Sequence, residues 1–382
     1  MALSAGSVLA WSPPAGVILS AGAIPPGDRG APPVPPWVAT AGARSVVYTL
    51  PGTREDAEAG SVAALLDNLL RQIESDSGLA PDGVLTYPLF PSPDAFRRDW
   101  WQFAILRDGT VHGWGTVVEG GNVLVSPYQI ARIVVRQAVG RSVPLLSWGL
   151  GDLVADRLVG IDSHAHARLF LDRGGLLPIA EIVHQLDFSR ALPGAYVQSV
   201  SFLAYLAEEH GLRHVAAFAR VGGARWYDFP SLFQRYFGIS IAEADRRWRT
   251  RLAQAAPPRL SDADFLTYRR GVEYACAYTL AQTPGRLVSR PGGATAYVEA
   301  LRATGALRRL DIADASRAVE AGRKAGEQVQ RRASRTRLAV TAALWALGLG
   351  PIVLAVLLLA GPAIRDAWRG RRDRRARTRR RR

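Results

Sequence analysis

The 382-residue chain has one cysteine, Cys276, so no internal disulfide can form and a cysteine-built zinc module is excluded. It has one lysine, Lys324, so nearly all of its 48 basic residues are arginine. It has six histidines, so any metal site must come from this small set and from carboxylates. Charged residues are 21% and hydrophobic residues 48% of the chain, which excludes a disordered polyelectrolyte and fits two or three structural units.

The net charge of +15 is unevenly placed. The last 18 residues, Arg365–Arg382, hold eleven Arg and two Asp, a net of +9. Before them, Leu338–Ile364 runs for 27 residues without a charge. A helix needs roughly 20 apolar residues to cross a bilayer, so this run predicts a single transmembrane helix, kinked at Pro351. Basic residues flank both ends, with the excess on the C-terminal side, which predicts a cytoplasmic tail and an N-terminal domain outside the membrane. Arg365, Arg369, Arg371, Arg372, Arg374 and Arg375 would then meet anionic lipid headgroups. Nucleic acid is a poor partner for this tail, because a single aromatic, Trp368, among eleven arginines is no interleaved pattern for base stacking. The expected setting is a bacterial cytoplasmic membrane. Small residues on the span, such as Ala339, Ala343 and Gly350, allow close helix approach and a place in a larger complex with protein partners. Residues 1–44 read as a signal-like and Pro-rich segment. Ala21-Gly22-Ala23 offers a cleavage-like triplet, but no positive charge precedes the apolar stretch.

Residues 45–256 read as a folded α+β domain with a small N-terminal sheet and a helical C-terminal half. Strands are expected at Ser45–Leu50, Gly83–Phe90, Phe103–Leu106, Gly113–Val118 and Asn122–Val125. Helices are expected at Glu58–Ser75, Pro127–Gly140, Pro144–Leu158, Ile179–Gln185, Ala195–Glu209, Leu212–Val221, Tyr227–Phe237 and Ile241–Ala255. Ser126 followed by Pro127 is an N-cap signal, and His210-Gly211 a C-cap signal. Asp162-Ser-His164-Ala-His166 is expected to be an exposed polar loop, with metal binding as the alternative. Residues 257–337 read as a helical stalk, 338–364 as the span and 365–382 as the tail.

Two stretches carry a resemblance. Ala195-Tyr196-Val197-Gln198-Ser199-Val200-Ser201-Phe202 with Tyr205-Leu206, and Gly238, Ser240, Glu243 and Trp248, resemble motifs of the peptidase MA-like (gluzincin) domains of bacterial membrane proteins. The resemblance covers about Ser45–Leu252. It implies a helix carrying H-E-x-x-H, a second helix carrying a glutamate ligand, and one zinc ion. Aligned on the first helix, Arg136 and Gly140 stand at the histidine positions and Gln137 at the general-base position. On the second helix Trp148 stands at the third ligand, and Asp152 where a further acid is common. Arg136 has no lone pair to ligate a cation, Gln137 cannot take a proton, and Gly140 has no side chain. The resemblance therefore implies a pseudo-peptidase with no cofactor, used for binding or assembly. Arg136, Trp148, Asp152 and Tyr196 are its candidate cleft residues, with Arg136 either taking an anionic group or pairing with Asp152 or Asp156. The alternative is an active zinc metallopeptidase with displaced ligands, for which His164, His166, His210 and His214 are the available groups. His112 and His184 are lone residues, and Ser142, Ser147 and Ser163 have no nucleophile-elbow context.

Overall fold

The computed structural model describes residues 37–81, 83–99, 111–112, 115–117, 123–140, 142–183, 193–222, 228–279 and 292–327. The architecture is α+β, mostly helical with a small sheet at the N-terminal end. Strands β1 (Val38–Ala41), β2 (Ser45–Thr49), β3 (Leu85–Phe90), β4 (Val111–His112), β5 (Gly115–Val117) and β6 (Val123–Leu124) run in the order β1-β2-β3-β5-β6, with β4 also on β3. The β1–β2 and β5–β6 pairs are antiparallel, and β2–β3, β3–β4 and β3–β5 are parallel. A parallel pair needs a crossover, and helix α1 (Arg54–Ser77) supplies it between β2 and β3. Asp67 of α1 fastens the β1–β2 turn. It accepts from the Ala43 and Arg44 amides and from Ser45 Oγ, at 2.5, 3.0 and 2.8 Å. The signal-like and Pro-rich segment was expected over residues 1–44, yet Val38–Ala41 forms β1, because pairing with β2 satisfies its backbone. Phe103–Leu106 lies outside the described residues.

The helices follow as α2 (Pro93–Asp99), α3 (Pro127–Val139), α4 (Pro144–Val159), α5 (Ser163–Leu171), α6 (Ile179–Val183), α7 (Pro193–His210), α8 (Leu212–Gly222), α9 (Phe229–Phe237), α10 (Ile241–Gln254), α11 (Asp262–Thr279) and α12 (Gly293–Arg308). A further helix runs over 312–327. Helix α3 starts where Ser126 Oγ accepts from the Gln129 amide and Pro127 fills the first turn. It stops at Gly140, whose φ of 71° suits a residue without Cβ. Helix α4 is buried along Pro144–Asp156 except at Trp148, and α7 is buried along Pro193–Ala207. A helix apolar on nearly every side belongs in the middle of a domain, and these two form its centre. They pack on each other, with α3 against α4 and α5 against α7. Gly151 lets α3 come close, since a Cβ there would sit 2.9 Å from Arg132 Cα and Cγ. Gly151→Ala should therefore destabilise the chain by about 1–3 kcal/mol through overpacking, read as a lowered urea midpoint with unchanged slope.

Three expectations are corrected. The segment Asp162–His166 is not a loop: Asp162 caps α5, accepting from the His164 amide at 2.8 Å, and His166 is buried. Residues 262–308 do not stand away as a stalk. Helix α11 packs on α7 and α12, and Phe265, Tyr268, Val272 and Leu307 join the main core. The single-pass membrane-protein reading is the third. Among the described residues no helix is long and apolar enough to cross a membrane. The two central helices, α4 and α7, are only 16 and 18 residues long and are buried in protein. Leu338–Ile364 and the six tail arginines, Arg365 to Arg375, lie outside the described residues.

Candidate functional site

Helix α4 carries two aspartates, Asp152 and Asp156, one turn apart on the same face, and neither exposes any surface. A carboxylate removed from water costs several kcal/mol unless it is paired and hydrogen-bonded. Each has found a buried arginine. Arg132 of α3 grips Asp152 with two nitrogens, Nε on Oδ1 and Nη2 on Oδ2, the latter at 2.8 Å. Tyr196 of α7 donates its hydroxyl to Asp152, and Arg132 Nη1 donates to Thr279 Oγ1 of α11 at 2.9 Å. Asp156 accepts from Tyr128 OH at 3.0 Å, Ser163 Oγ at 2.6 Å and Arg308 Nε at 2.9 Å, and also from Arg308 Nη2. The cluster joins α3, α4, α5, α7, α11 and α12.

Burial works against the charge of Arg132, but Asp152 and Tyr196 outweigh it and raise its pKa. Burial raises the Tyr196 hydroxyl well above its ordinary value, and Asp152 adds to this. Burial pushes Tyr128 up to about 12. The Cys276 thiol, near Arg132 and Asp152, is also pushed up by burial, so it remains a thiol rather than a nucleophilic thiolate. The cluster is two buried Arg–Asp pairs, Arg132–Asp152 and Arg308–Asp156, surrounded by hydroxyls.

His166 of α5 lies beside it, where α11 and α12 meet the body. Its Nδ1 contacts Tyr268 OH at 3.0 Å and its Nε2 contacts the Arg308 carbonyl at 3.1 Å. A carbonyl only accepts, so Nε2 carries the proton and Nδ1 accepts from Tyr268. Burial lowers the His166 pKa to about 4. Also on α3, Gln129 Nε2 donates to Tyr297 OH of α12 at 3.1 Å.

This arrangement is poor at ligating a cation and at nucleophilic attack. Among the described residues no three His, Cys, Asp or Glu side chains converge as a metal site. Both cluster aspartates are occupied by guanidiniums, which have no lone pair to share. A second constellation has the outline of a triad: His164 Nδ1 is 2.8 Å from Ser201 Oγ, and Nε2 is 3.1 Å from Glu208 Oε1. Ser201 is fully buried inside α7, however, and Trp248 Nε1 donates to its oxygen at 3.0 Å. A substrate cannot reach it, and the helix's amides are spent on its own ladder. The chain Trp248–Ser201–His164–Glu208 ties α10, α7 and α5 together. His210 and His214 flank the break at Gly211, their ring centres 5.8 Å apart, and His214 Nε2 donates to the Tyr236 carbonyl at 3.2 Å.

The residues expected at the site divide into two groups. Asp152 and Tyr196 are in the cluster. Trp148 is partly buried and packs on the core. Arg136 is exposed near the end of α3, Gln137 is half-buried, and Gly140 lies past the helix. Arg136 pairs with neither aspartate, and Arg132 and Arg308 take those places. On α3 the residues that reach the two aspartates are Tyr128 and Arg132, one turn apart, and Arg132 lies one turn before Arg136. The sequence did carry a signal for it. Asp152 and Asp156 recur at i, i+4 in an otherwise apolar helix, and two inward acids require inward cations. Ser142 and Ser147 each bond the Val143 carbonyl, and His184 lies outside the described residues.

No family model matches the chain, and no curated protein matches it.

Proposed function

We propose that this chain is a non-catalytic relative of the peptidase MA-like domains, whose former metal-site region serves binding or assembly. The observation that carries this reading is the buried Arg132–Asp152 pair on α3 and α4. Tyr128, Gln129 and Arg132 reproduce the spacing of H-E-x-x-H with none of its chemistry. Tyrosine replaces the first ligand, glutamine the base, and arginine the second ligand. Trp148 replaces the third. Arg132 then puts a fixed positive charge where a zinc ion would have supplied one, and Asp152 neutralises it.

Zinc is not needed for this reading. The residues that would have to hold it are a tyrosine in its neutral form, an arginine and a tryptophan. The purified full-length chain, incubated with zinc and dialysed, should retain far less than one zinc per chain by elemental analysis. It should also cleave no unfolded protein substrate above the buffer rate. Stoichiometric zinc that disappears in His164→Ala or His210→Ala, together with proteolysis, would sink the proposal in favour of a peptidase with displaced ligands.

A further inference from the structure

Helix α12 ends by placing the Arg308 side chain into the interior of the domain. The guanidinium is 3% exposed and meets Asp156 through Nε and Nη2, the side-on fork that suits a carboxylate. The receiving pocket is built by other elements. Asp156 comes from α4, Tyr128 from α3 and Ser163 from α5, and all three are buried. Without Arg308 this pocket would hold a carboxylate with two hydroxyl donors and no cation. Its shape and charge select a planar cation with paired N–H donors.

The two buried arginines differ in how well they are satisfied. Arg132 engages Asp152, Tyr196 and Thr279 through Nε, Nη1 and Nη2. Arg308 keeps one buried nitrogen, Nη1, with no partner. Burial also lowers the Arg308 pKa, whereas that of Arg132 is raised. An orphaned buried donor weakens the hold of the site on its occupant. The chain leaves α12 through Leu310, whose φ of 56° is the single positive value among the described non-glycine residues. That conformation is unfavourable for a side chain with a Cβ. The buried face of α12 carries Val298, Leu301 and Leu307 together with small residues such as Ala300 and Ala303. Arg308 and Tyr297 are its buried polar contacts to α3 and α4. At Arg308 the helix thus ends in a guanidinium with one unmet donor, followed by an unfavourable turn.

We propose that the pocket formed by Asp156, Tyr128 and Ser163 is a guanidinium-binding site, and that Arg308 is its resident intramolecular ligand. Helix α12 then fills the site from within the same chain, and a guanidinium group presented from elsewhere occupies the pocket when Arg308 is withdrawn. The inference deepens the binding reading above and depends on this buried site being used for recognition. Its test is independent of zinc: a metal-loaded chain would overturn that reading and leave the titration below interpretable.

The experiment uses full-length Arg308→Ala and methylguanidinium chloride, with methylammonium chloride as the control. The variant should melt below the wild type. Millimolar methylguanidinium should raise its Tm saturably, by about 2–4 °C, as a ligand that binds only the folded state does. Methylammonium should have no such effect, and neither salt should raise the wild-type Tm, because Arg308 fills the pocket. The double variant Arg308→Ala/Asp156→Asn should not respond. If Arg308→Ala alone is unfolded, the same titration reads recovery of the helical circular dichroism signal at 222 nm. No saturable response, an equal response to methylammonium, or an undiminished response in the double variant would each overturn the assignment.

Discussion

Asp152→Ala should lower the stability of the chain by about 3–5 kcal/mol, the cost of leaving a buried arginine without its carboxylate. Arg132 is 5% exposed and cannot turn to solvent without opening the contact between α3 and α4. Asp152 also receives the Tyr196 hydroxyl, so that donor is orphaned as well. Against a typical total stability of about 5–15 kcal/mol, this loss would leave a chain that is partly unfolded at moderate temperature. Two controls separate the charge pair from simple loss of volume. Arg136→Ala, at the position first aligned with the metal motif, is exposed and should change stability by no more than about 0.5 kcal/mol. The double variant Arg132→Met/Asp152→Leu should recover much of the loss, because a well-packed apolar pair avoids both desolvation penalties. Urea unfolding of the three variants reads all of this. A cost below about 1 kcal/mol for Asp152→Ala would mean that the pair contributes nothing specific.

Stability should also fall as the pH drops from about 6.5 towards 4, by about 3 kcal/mol in total. His166 is neutral in the fold, with a pKa of about 4, whereas an unfolded histidine titrates near 6.5. Between these values the unfolded chain binds the proton and the folded chain does not, so lowering the pH favours unfolding. Above about 6.5 the histidine contributes no slope, and below about 4 both states are protonated and the slope from this group ends. The size follows from about 2.5 pH units at 1.36 kcal/mol each. Burial is the main cause, opposed by the bond to the Arg308 carbonyl and by the nearby charge of Asp162. The control is His166→Gln, which can donate to Arg308 and accept from Tyr268 but does not titrate. Subtracting its stability–pH curve from the wild-type curve removes the carboxylates common to both. A difference curve that is flat between pH 4 and 6.5 would refute the assignment. Because His166 touches both α11 and α12, the first region to lose hydrogen-exchange protection should be these helices.

Much of the local structure was legible. Ser126-Pro127 and Pro144 fix where α3 and α4 begin, since a hydroxyl cap and a proline at the first turn are stable in few other contexts. Asp152 was singled out only through the resemblance, although its place in an apolar helix also points it inward. Which arginine of α3 meets the aspartates was not legible, because Arg136 is a polar residue near the helix end, whereas Tyr128 and Arg132 look like part of an amphipathic first turn. The outward or inward role of an arginine is not written in its neighbours. It depends on what stands opposite, and the partner of Arg308 is 152 residues away in the chain.

The sequence by itself determined most of the helices, several of their caps, the α+β composition and the placement of charge. Of the +15, thirteen lie from Arg331 onward, so the preceding residues carry only +2. These properties depend on residues within a turn or two of each other. The tertiary structure alone decided which cations neutralise Asp152 and Asp156, that residues 262–308 pack into the body, and that His166 is buried neutral. Each of these is set by desolvation. A charge or an imidazole taken out of water must find its partner wherever the fold brings one, and no local spacing records that choice.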